Sequence, residues 1–279
     1  MHYLLALCNI ASLETPLPIP KGEPKGLITP PVAPRVENGL DIAIDAAFTW
    51  WKTELSGLTL GQTAHHTVTP AAHFTPGFQL GLGMDLWIDG FDAYADYTWM
   101  SMPGSRTDDD TISSSRFLQY NILDLELGRH FYLSKKLSIR PLFGFKLARM
   151  FDKLFFEEEH FSQTLSGFGT RGGIQSFWRF WRIYGFYGNI AITALWSSIH
   201  NTLSSVYRAS TQTILPIMEC QVGLFCQTPL SQDRYFLYAQ AGWEEQIWLN
   251  YNHMNIHGLL DTTGTLTIQG LICRLGLVF

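Results

Sequence analysis

Five histidines are the residues whose grouping along the chain most suggests chemistry. His65, His66 and His73 lie in one stretch without periodicity, and His253 and His257 lie in another near the C-terminus. Imidazoles brought together from two such stretches can bind a metal ion or act as a general base. The chain has no nucleophile elbow, phosphate-binding loop or metal-hydrolase spacing to accompany them. We therefore expect no catalytic residue, no cofactor, no metal site and no enzymatic activity.

The four cysteines do not suggest a metal or disulfide framework either. Cys8, Cys220, Cys226 and Cys273 form no zinc-like pair. Cys220 and Cys226 fall on the same side of one predicted strand, and at about 3.3 Å per residue they lie roughly 20 Å apart, too far for a disulfide. We interpret them as small lipid-facing residues.

The composition excludes several classes of protein. Of the 279 residues 46% are hydrophobic and 15% charged, whereas charged residues supply about a quarter of a soluble domain. No run of 18 apolar residues occurs, which excludes a spanning helix. The net charge is −5 and the 19 basic residues are thinly spread, which argues against a nucleic-acid partner. An apolar chain without long apolar runs is typical of a transmembrane β-barrel.

The spacing of apolar residues supports this class, because from Asp41 onward the dominant period is two. Ile42, Ile44, Ala46, Phe48 and Trp50, for example, share one face of the first run. Helices would place apolar residues three and four apart, so the pattern predicts strands. We predict an all-β, transmembrane antiparallel up-and-down barrel of about ten strands, with eight or twelve as alternatives. The ten runs cover 41–51, 74–88, 91–100, 118–132, 137–150, 165–178, 183–196, 213–226, 235–246 and 265–279.

The connections between these runs alternate in length. Short ones cover 89–90, 134–136, 179–182 and 228–234, and long ones cover 52–73, 101–117, 151–164, 197–212 and 247–264. Outer-membrane barrels have short periplasmic turns, long external loops and an even strand count. We therefore expect an integral protein of the bacterial outer membrane with both termini periplasmic. A soluble ten-stranded barrel is the alternative, but the face opposite the apolar one is rich in glycine and acid and unsuited to a packed core.

Aromatic residues cluster at the strand ends. They predict two girdles at the headgroup levels. The upper girdle would contain Trp50, Trp51, Trp99, Trp196 and Trp248, and the lower one Trp87, Phe131, Tyr132, Trp178, Trp181, Tyr184, Tyr235 and Phe279.

The inward faces of the strands carry more acid than base. Charged rings bias the passage of ions, so the pattern predicts a weakly cation-selective pore. The inward glycines favour an open bore, and a bore plugged by long side chains is the alternative. The predicted pore-lining residues are the acids Asp45, Asp85, Asp92, Asp96, Asp124, Glu126, Glu219 and Glu244 and the bases Arg140, Lys146 and Arg171.

The N-terminal forty residues are predicted to lie outside the barrel. Residues 1–20 contain a short apolar stretch typical of a signal segment, though an atypical one without a preceding Lys or Arg. Residues 16–40 form a proline-rich extended tail, and 41–279 form the barrel.

Several segments resemble the Legionella-type major outer membrane protein family. The central block is Asp124–Arg129, Phe131–Lys135 and Leu137–Gly144, and further matches are Trp50–Lys52, Trp243–Trp248 with Asn252 and His253, and Leu266–Leu271. The resemblance implies an outer-membrane pore and supplies no catalytic residue. We thus expect a porin-like pore for ions and small hydrophilic solutes. The alternatives are a closed barrel that acts as a surface adhesin or structural anchor through its long loops, and an outer-membrane hydrolase with acids and histidines at its outer rim.

The C-terminal strand resembles the signal by which the outer-membrane assembly machinery recognises its clients. Its alternate apolar residues are Leu271, Cys273, Leu275, Leu277 and Phe279. The expected partners are therefore this barrel assembly machinery, outer-membrane lipids and lipopolysaccharide, small solutes and a second copy of the chain.

Overall fold

A computed structural model of the protein describes residues 42–56, 73–86, 90–109, 112–134, 136–156, 159–181, 183–203, 207–230, 235–253 and 264–279. The signal segment and tail predicted for residues 1–40 lie outside them. The strands are β1 Ile42–Leu55, β2 Thr75–Asp85, β3 Phe91–Asp109, β4 Ile112–Arg129, β5 Phe131–Tyr132, β6 Leu137–Phe156, β7 Glu159–Arg179, β8 Tyr184–Leu203, β9 Tyr207–Leu230, β10 Tyr235–Asn252 and β11 Gly264–Val278. No helix in the described ranges is long and apolar enough to cross a membrane.

The strands form one closed ring. Each long strand pairs antiparallel with its neighbour in the chain, and β5 is a two-residue strand that pairs with the start of β6. The ring closes where β1 pairs with β11, with Ala43 opposite Val278 and Leu55 opposite Leu266. The predicted up-and-down barrel of ten long strands is therefore confirmed. We call the end where β1 begins and β11 ends the terminal end, and the opposite end the far end.

Toward the far end the strands are longer than their apolar faces predicted. Between β3 and β4, β6 and β7, and β8 and β9, only two or three residues separate the paired strands. The long loops predicted over 101–117, 151–164 and 197–212 are therefore mostly strand, and that prediction was wrong. β9 alone has 24 residues, whereas about ten suffice to cross a bilayer. The two long connections predicted over 52–73 and 247–264 fall largely outside the described residues.

The reason for this error is a reversal of sidedness along each strand. In the terminal half of β4, Leu125 and Leu127 face outward and Asp124 and Glu126 inward. In the far half of the same strand the apolar side chains are the inward ones, Leu118, Tyr120 and Ile122. Side chains still alternate between the two faces of the strand, but the outward positions are no longer apolar. The sequence pattern of a lipid-facing strand therefore ends there, and the segment was predicted to be a loop. The terminal half thus has the chemistry of a membrane barrel, and the far half that of a barrel in water.

The outward apolar residues form a belt around the terminal half, the apolar band. Leu82, Phe143, Ile190 and Leu275 are typical members, each between 56% and 63% exposed. Trp50 and Trp196 face outward at its upper edge and Trp178, Trp181 and Tyr235 at its lower edge, as predicted for girdles. Trp51 and Trp248, however, are 1% and 0% exposed inside the barrel. Their assignment to the upper girdle was wrong, because they lie beyond the level at which the sidedness reverses.

Candidate functional site

The interior of the terminal half contains a polar cavity, the vestibule. Its volume is about 420 Å³, and inward side chains of the strands line it. At the terminal end its lining includes the exposed Asp85 and the partly exposed Ser138 and Gln227. The vestibule therefore reaches toward water at the terminal end.

Arg274 organises one side of the vestibule. Its guanidinium donates to Asp45 at 2.9 Å, to Asp96 at 2.8 Å, and also to the hydroxyl of Tyr94. The hydroxyls of Tyr94 and Tyr238 each donate to Asp45 at 2.6 Å. Arg274 projects from β11 toward β1 and β3, so the cluster holds the two sides of the ring closure together.

Lys146 and Arg171 organise a second cluster, which crosses the bore. Lys146 Nζ lies 2.7 Å from Asp124 and 2.8 Å from Glu219. Arg171 pairs with Glu219 and places Nε 3.2 Å from Glu126. All five residues are at most 9% exposed. Since Glu219 lies on β9 and Asp124 on β4, these ion pairs link distant strands through the interior.

Arg140 forms a third cluster near the terminal end. Its guanidinium pairs with Asp92 and donates to Glu126 at 3.1 Å. His130, just past the end of β4, lies 3.7 Å from Asp92. Burial lowers the pKa of His130; the Asp92 carboxylate opposes this effect and the Arg140 cation adds to it. Arg140 rather than His130 is therefore the main partner of Asp92 at neutral pH.

Two inward glycines, Gly128 and Gly81, make room for these clusters. A Cβ on Gly128 would overlap the guanidinium of Arg140, and one on Gly81 would overlap the Tyr94 hydroxyl and the Asp45 carboxylate. At these two positions the missing Cβ accommodates a charged or hydroxyl group, so glycine content alone does not indicate an open bore.

The predicted interior residues can now be located. Ten of the eleven are buried or partly exposed inside the barrel, and Asp85 is exposed at the terminal end: Asp45, Asp85, Asp92, Asp96, Asp124, Glu126, Arg140, Lys146, Arg171, Glu219 and Glu244. Two bases were missed. Arg274 lies between the outward Cys273 and Leu275, and Arg179 follows Arg171 at an even spacing. The alternation of side chains between the two faces of a strand could therefore have identified both as inward residues. With Arg274 and Arg179 added, the described interior of the terminal half holds eight acids against five bases rather than three.

Glu244 differs from the other interior acids. One of its carboxylate oxygens accepts a hydrogen bond from Gln246 at 2.7 Å. The second oxygen is shielded from water and lacks a hydrogen-bond partner among the described residues. Glu244 is therefore a partly buried acid that forms no ion pair within the described residues.

Beyond the vestibule, apolar side chains fill the bore. This apolar layer draws residues from every long strand except β2, and each is at most 5% exposed: Trp51, Met100, Met102, Leu118, Tyr120, Ile122, Ala148, Met150, Leu165, Leu195, Ile199, Leu215, Ile217, Trp248, Tyr251, Leu266 and Ile268. Burial of this kind is typical of a close-packed protein core. Water does not reach these side chains.

Three aromatic rings span the centre of the apolar layer. Tyr120 contacts Trp51 edge to face at a centroid distance of 6.3 Å and Trp248 at 6.0 Å. These rings come from β4, β1 and β10, and β4 and β10 are five strands apart in the ring of ten. The aromatic row therefore runs across the full width of the barrel.

A second polar zone lies on the far-end side of the apolar layer. Arg116 and Asp152 form a buried bidentate pair, with distances of 3.0 and 2.6 Å. Gln163 donates to the backbone oxygen of Tyr251 at 2.9 Å, which ties β7 to β10. Of the five histidines noted in the sequence, His73 and His253 are described, and no group of three or more potential metal ligands occurs in the described ranges. His65, His66 and His257 lie outside them.

The apolar residues of the predicted assembly signal lie on the last strand. Leu271, Cys273, Leu275 and Leu277 face outward in β11. Phe279 follows, and its backbone exchanges two hydrogen bonds of 2.9 Å with Ile42. Among the described residues, Cys220, Cys226 and Cys273 form no disulfide.

Comparisons with known proteins agree with this architecture. A family model described as the Legionella pneumophila major outer membrane protein precursor matches residues 32–279. No curated protein matches the sequence significantly. Among solved structures, the outer membrane protease OmpT from Escherichia coli is similar with a TM-score of 0.51 at 11% identity, covering 85% of this chain and 96% of that one. The translocator domain of the autotransporter NalP from Neisseria meningitidis has a TM-score of 0.48 at 14% identity, with coverage of 87% and 89%. At such identities the likeness concerns the fold alone.

Proposed function

Because the chain belongs to the Legionella pneumophila major outer membrane protein family, we propose that it is an outer-membrane barrel that is closed at rest and presents its far end as a surface platform. The observation that supports this proposal is the apolar layer, whose seventeen side chains fill the bore. Solutes small enough to enter the vestibule meet packed rings rather than a channel. The role is then that of a surface adhesin or structural anchor.

The length of the strands beyond the apolar band supports the proposal that the far end is a surface platform. The apolar band covers the terminal half, and the strands continue past it with outward polar residues such as Gln119, Asn121, Ser162 and Thr202. Polar side chains on the outer wall are unfavourable in hydrocarbon, so the far half stands in water beyond the bilayer. In the proposed orientation the termini face the periplasm and the far end faces the cell exterior.

A porin-like pore is the second candidate. The vestibule favours it, as do the eight acids against five bases in the described interior of the terminal half, because a surplus of acid attracts cations. The pore would pass ions and small hydrophilic solutes with weak cation preference, with the interior residues above as its lining. It requires the row of Trp51, Tyr120 and Trp248 to move aside.

Two further roles are part of the proposal. The outward apolar residues of β11 would be recognised by the barrel assembly machinery during insertion, and the apolar band would contact lipid or a second copy of the chain. The role is non-enzymatic, although OmpT, which shares the fold, is a protease.

Planar-bilayer conductance of the refolded, heat-modifiable barrel separates the two candidates. We expect no discrete steps from the native chain. The triple variant Trp51→Ala, Tyr120→Ala, Trp248→Ala opens the centre of the apolar layer, so it should conduct. Discrete steps from the native chain, with a reversal potential that indicates cation preference, would overturn the closed barrel in favour of the pore.

A further inference from the structure

The outer wall carries a basic patch on one side of the barrel. Arg149 and Lys153 both point outward from β6 and are exposed, with Phe151 between them on the same face. Lys153 Nζ lies 5.0 Å from the centroid of the Phe151 ring, and this ring contacts Phe117 of β4 at 6.4 Å. The patch therefore combines two cations with an aromatic surface.

The height of the patch follows from the pairing of the strands. Outward positions of β6 read Phe143, Phe145 and Leu147 in the apolar band, and the next outward residue is Arg149. Arg149 pairs laterally with Asn121 of β4 and Ser166 of β7. It thus lies in the first polar row beyond hydrocarbon, and Lys153 lies about 13 Å farther along the strand at ~3.3 Å per residue.

Arg149 and Lys153 form no ion pair with the part of the chain that the structure describes. Within the described ranges no carboxylate lies at ion-pair distance from Arg149 or Lys153, and Asp152 between them points inward to Arg116. Lys52, which also faces outward in the far half, differs because it pairs with Glu54 at 2.6 Å. Two cations that have no carboxylate partner in the described ranges, at the edge of an apolar belt, are complementary to an anionic amphiphile.

We propose that this basic patch binds the phosphates of lipid A, the membrane anchor of lipopolysaccharide. Arg149 contacts a phosphate at the hydrocarbon edge and Lys153 a phosphate group farther out, while acyl chains pack on Leu147 and Phe168 of the apolar band. Lipid A carries phosphates at this level, and a guanidinium can bind phosphate through two hydrogen bonds. The inference rests on the proposed orientation, since lipopolysaccharide lies in the outer leaflet.

The test measures binding of the refolded full chain to bisphosphorylated lipid A in phosphatidylethanolamine vesicles. Arg149→Gln with Lys153→Gln should weaken binding about 30-fold, since each cation near an anionic surface contributes roughly a factor of five. Lys52→Gln is the matched control and should change nothing. Equal binding by the double variant, or equal binding to dephosphorylated lipid A or to phosphatidylglycerol vesicles, would overturn the assignment.

The orientation is tested separately. Ser198→Cys, in a chain whose native cysteines are replaced by alanine, should react with an impermeant maleimide on intact cells. Labelling only after permeabilisation would place the far end in the periplasm, and the patch would then not meet lipopolysaccharide in the cell whatever its affinity in vesicles.

Discussion

Tyr120 on β4 donates a hydrogen bond of 2.6 Å to the side-chain oxygen of Gln246 on β10, the strand directly across the ring. Both side chains are buried. A side-chain bond across the whole bore is geometrically incompatible with an open channel at that level. The relationship thus connects the stability of the barrel to its closure.

Tyr120→Phe tests the hydrogen bond apart from the packing. The ring contacts with Trp51 and Trp248 remain, but a buried acceptor of Gln246 loses its donor, so the free energy of unfolding should fall by about 1–3 kcal/mol. Urea unfolding followed by the heat-modifiable gel shift measures this change. Tyr97→Phe is the control, because that hydroxyl makes an exposed bond of 3.2 Å to Asn121 and its loss should cost under about 0.5 kcal/mol.

Lys146→Met should be strongly destabilising. Lys146 is 1% exposed and contacts both Asp124 and Glu219, and the substitution leaves buried carboxylates with less compensation. Breaking one side of a buried pair costs about 3–5 kcal/mol. Lys52→Met removes a lysine from an exposed pair and should change the unfolding midpoint little. Comparable losses in the two variants would show that the interior pairs are solvated.

Glu244→Gln should stabilise the barrel. The amide has nearly the same shape and can keep a hydrogen bond to Gln246, while the charge is removed from the shielded oxygen that has no partner among the described residues. A higher urea midpoint is expected, since desolvating an unpaired charge is costly. For comparison, Glu54→Gln weakens an exposed ion pair with Lys52 and should give no gain. A lower midpoint for Glu244→Gln would indicate a cation on that oxygen.

Gly128→Ala should disturb the third cluster. Its Cβ would overlap the Arg140 guanidinium, and displacing that group costs about 1–3 kcal/mol. Gly172→Ala is the matched control on β7, where a Cβ meets nothing within 4 Å. Equal unfolding midpoints for the two variants would mean that Arg140 moves without cost.

His130 should make stability depend on pH. Its pKa in the folded barrel is lowered from 6.5, mainly by burial, so the unfolded chain takes up a proton first as the pH falls. The contribution of His130 to the free energy of unfolding is then constant above about pH 7. It falls progressively as the pH drops below 6.5, because the unfolded state binds more protons. His130→Asn should flatten the urea midpoint between pH 7.5 and 5.5. An unchanged slope would assign the pH dependence to other groups.

Sequence patterns predicted much of this molecule, because in a strand the side of each residue follows from parity alone. Asp124, Glu126 and Lys146 were placed inside on that basis, and the closed ten-strand ring followed from the count of apolar runs. The far half was not anticipated, because its inward apolar residues break the lipid-facing pattern. A local sign on β4 was the adjacent apolar pair Ile122–Leu123, where one side chain points in and the next points out, and Trp50–Trp51 shows the same on β1.

The interior chemistry was harder to predict for a different reason. Parity gives the side of a residue but not its partner, and the partners are set by which strands meet across the bore. Arg274 contacts residues some 180 to 230 positions earlier in the chain, a proximity that exists only once β1 and β11 pair.

The adjacent inward and outward apolar residues where sidedness reverses mark the membrane–water boundary on the barrel wall. A barrel displaced by two residues would draw Arg149 and the row beside it into hydrocarbon, and a charged group on the lipid face costs about 2–4 kcal/mol at the bilayer midplane and less near its edge. Bilayer thickness adapts for fractions of a kcal/mol per ångström. The outer wall of the barrel therefore fixes how deeply the barrel sits in the bilayer. Where the height of the apolar band differs from the bilayer thickness, the surrounding lipid thins or thickens to match the band.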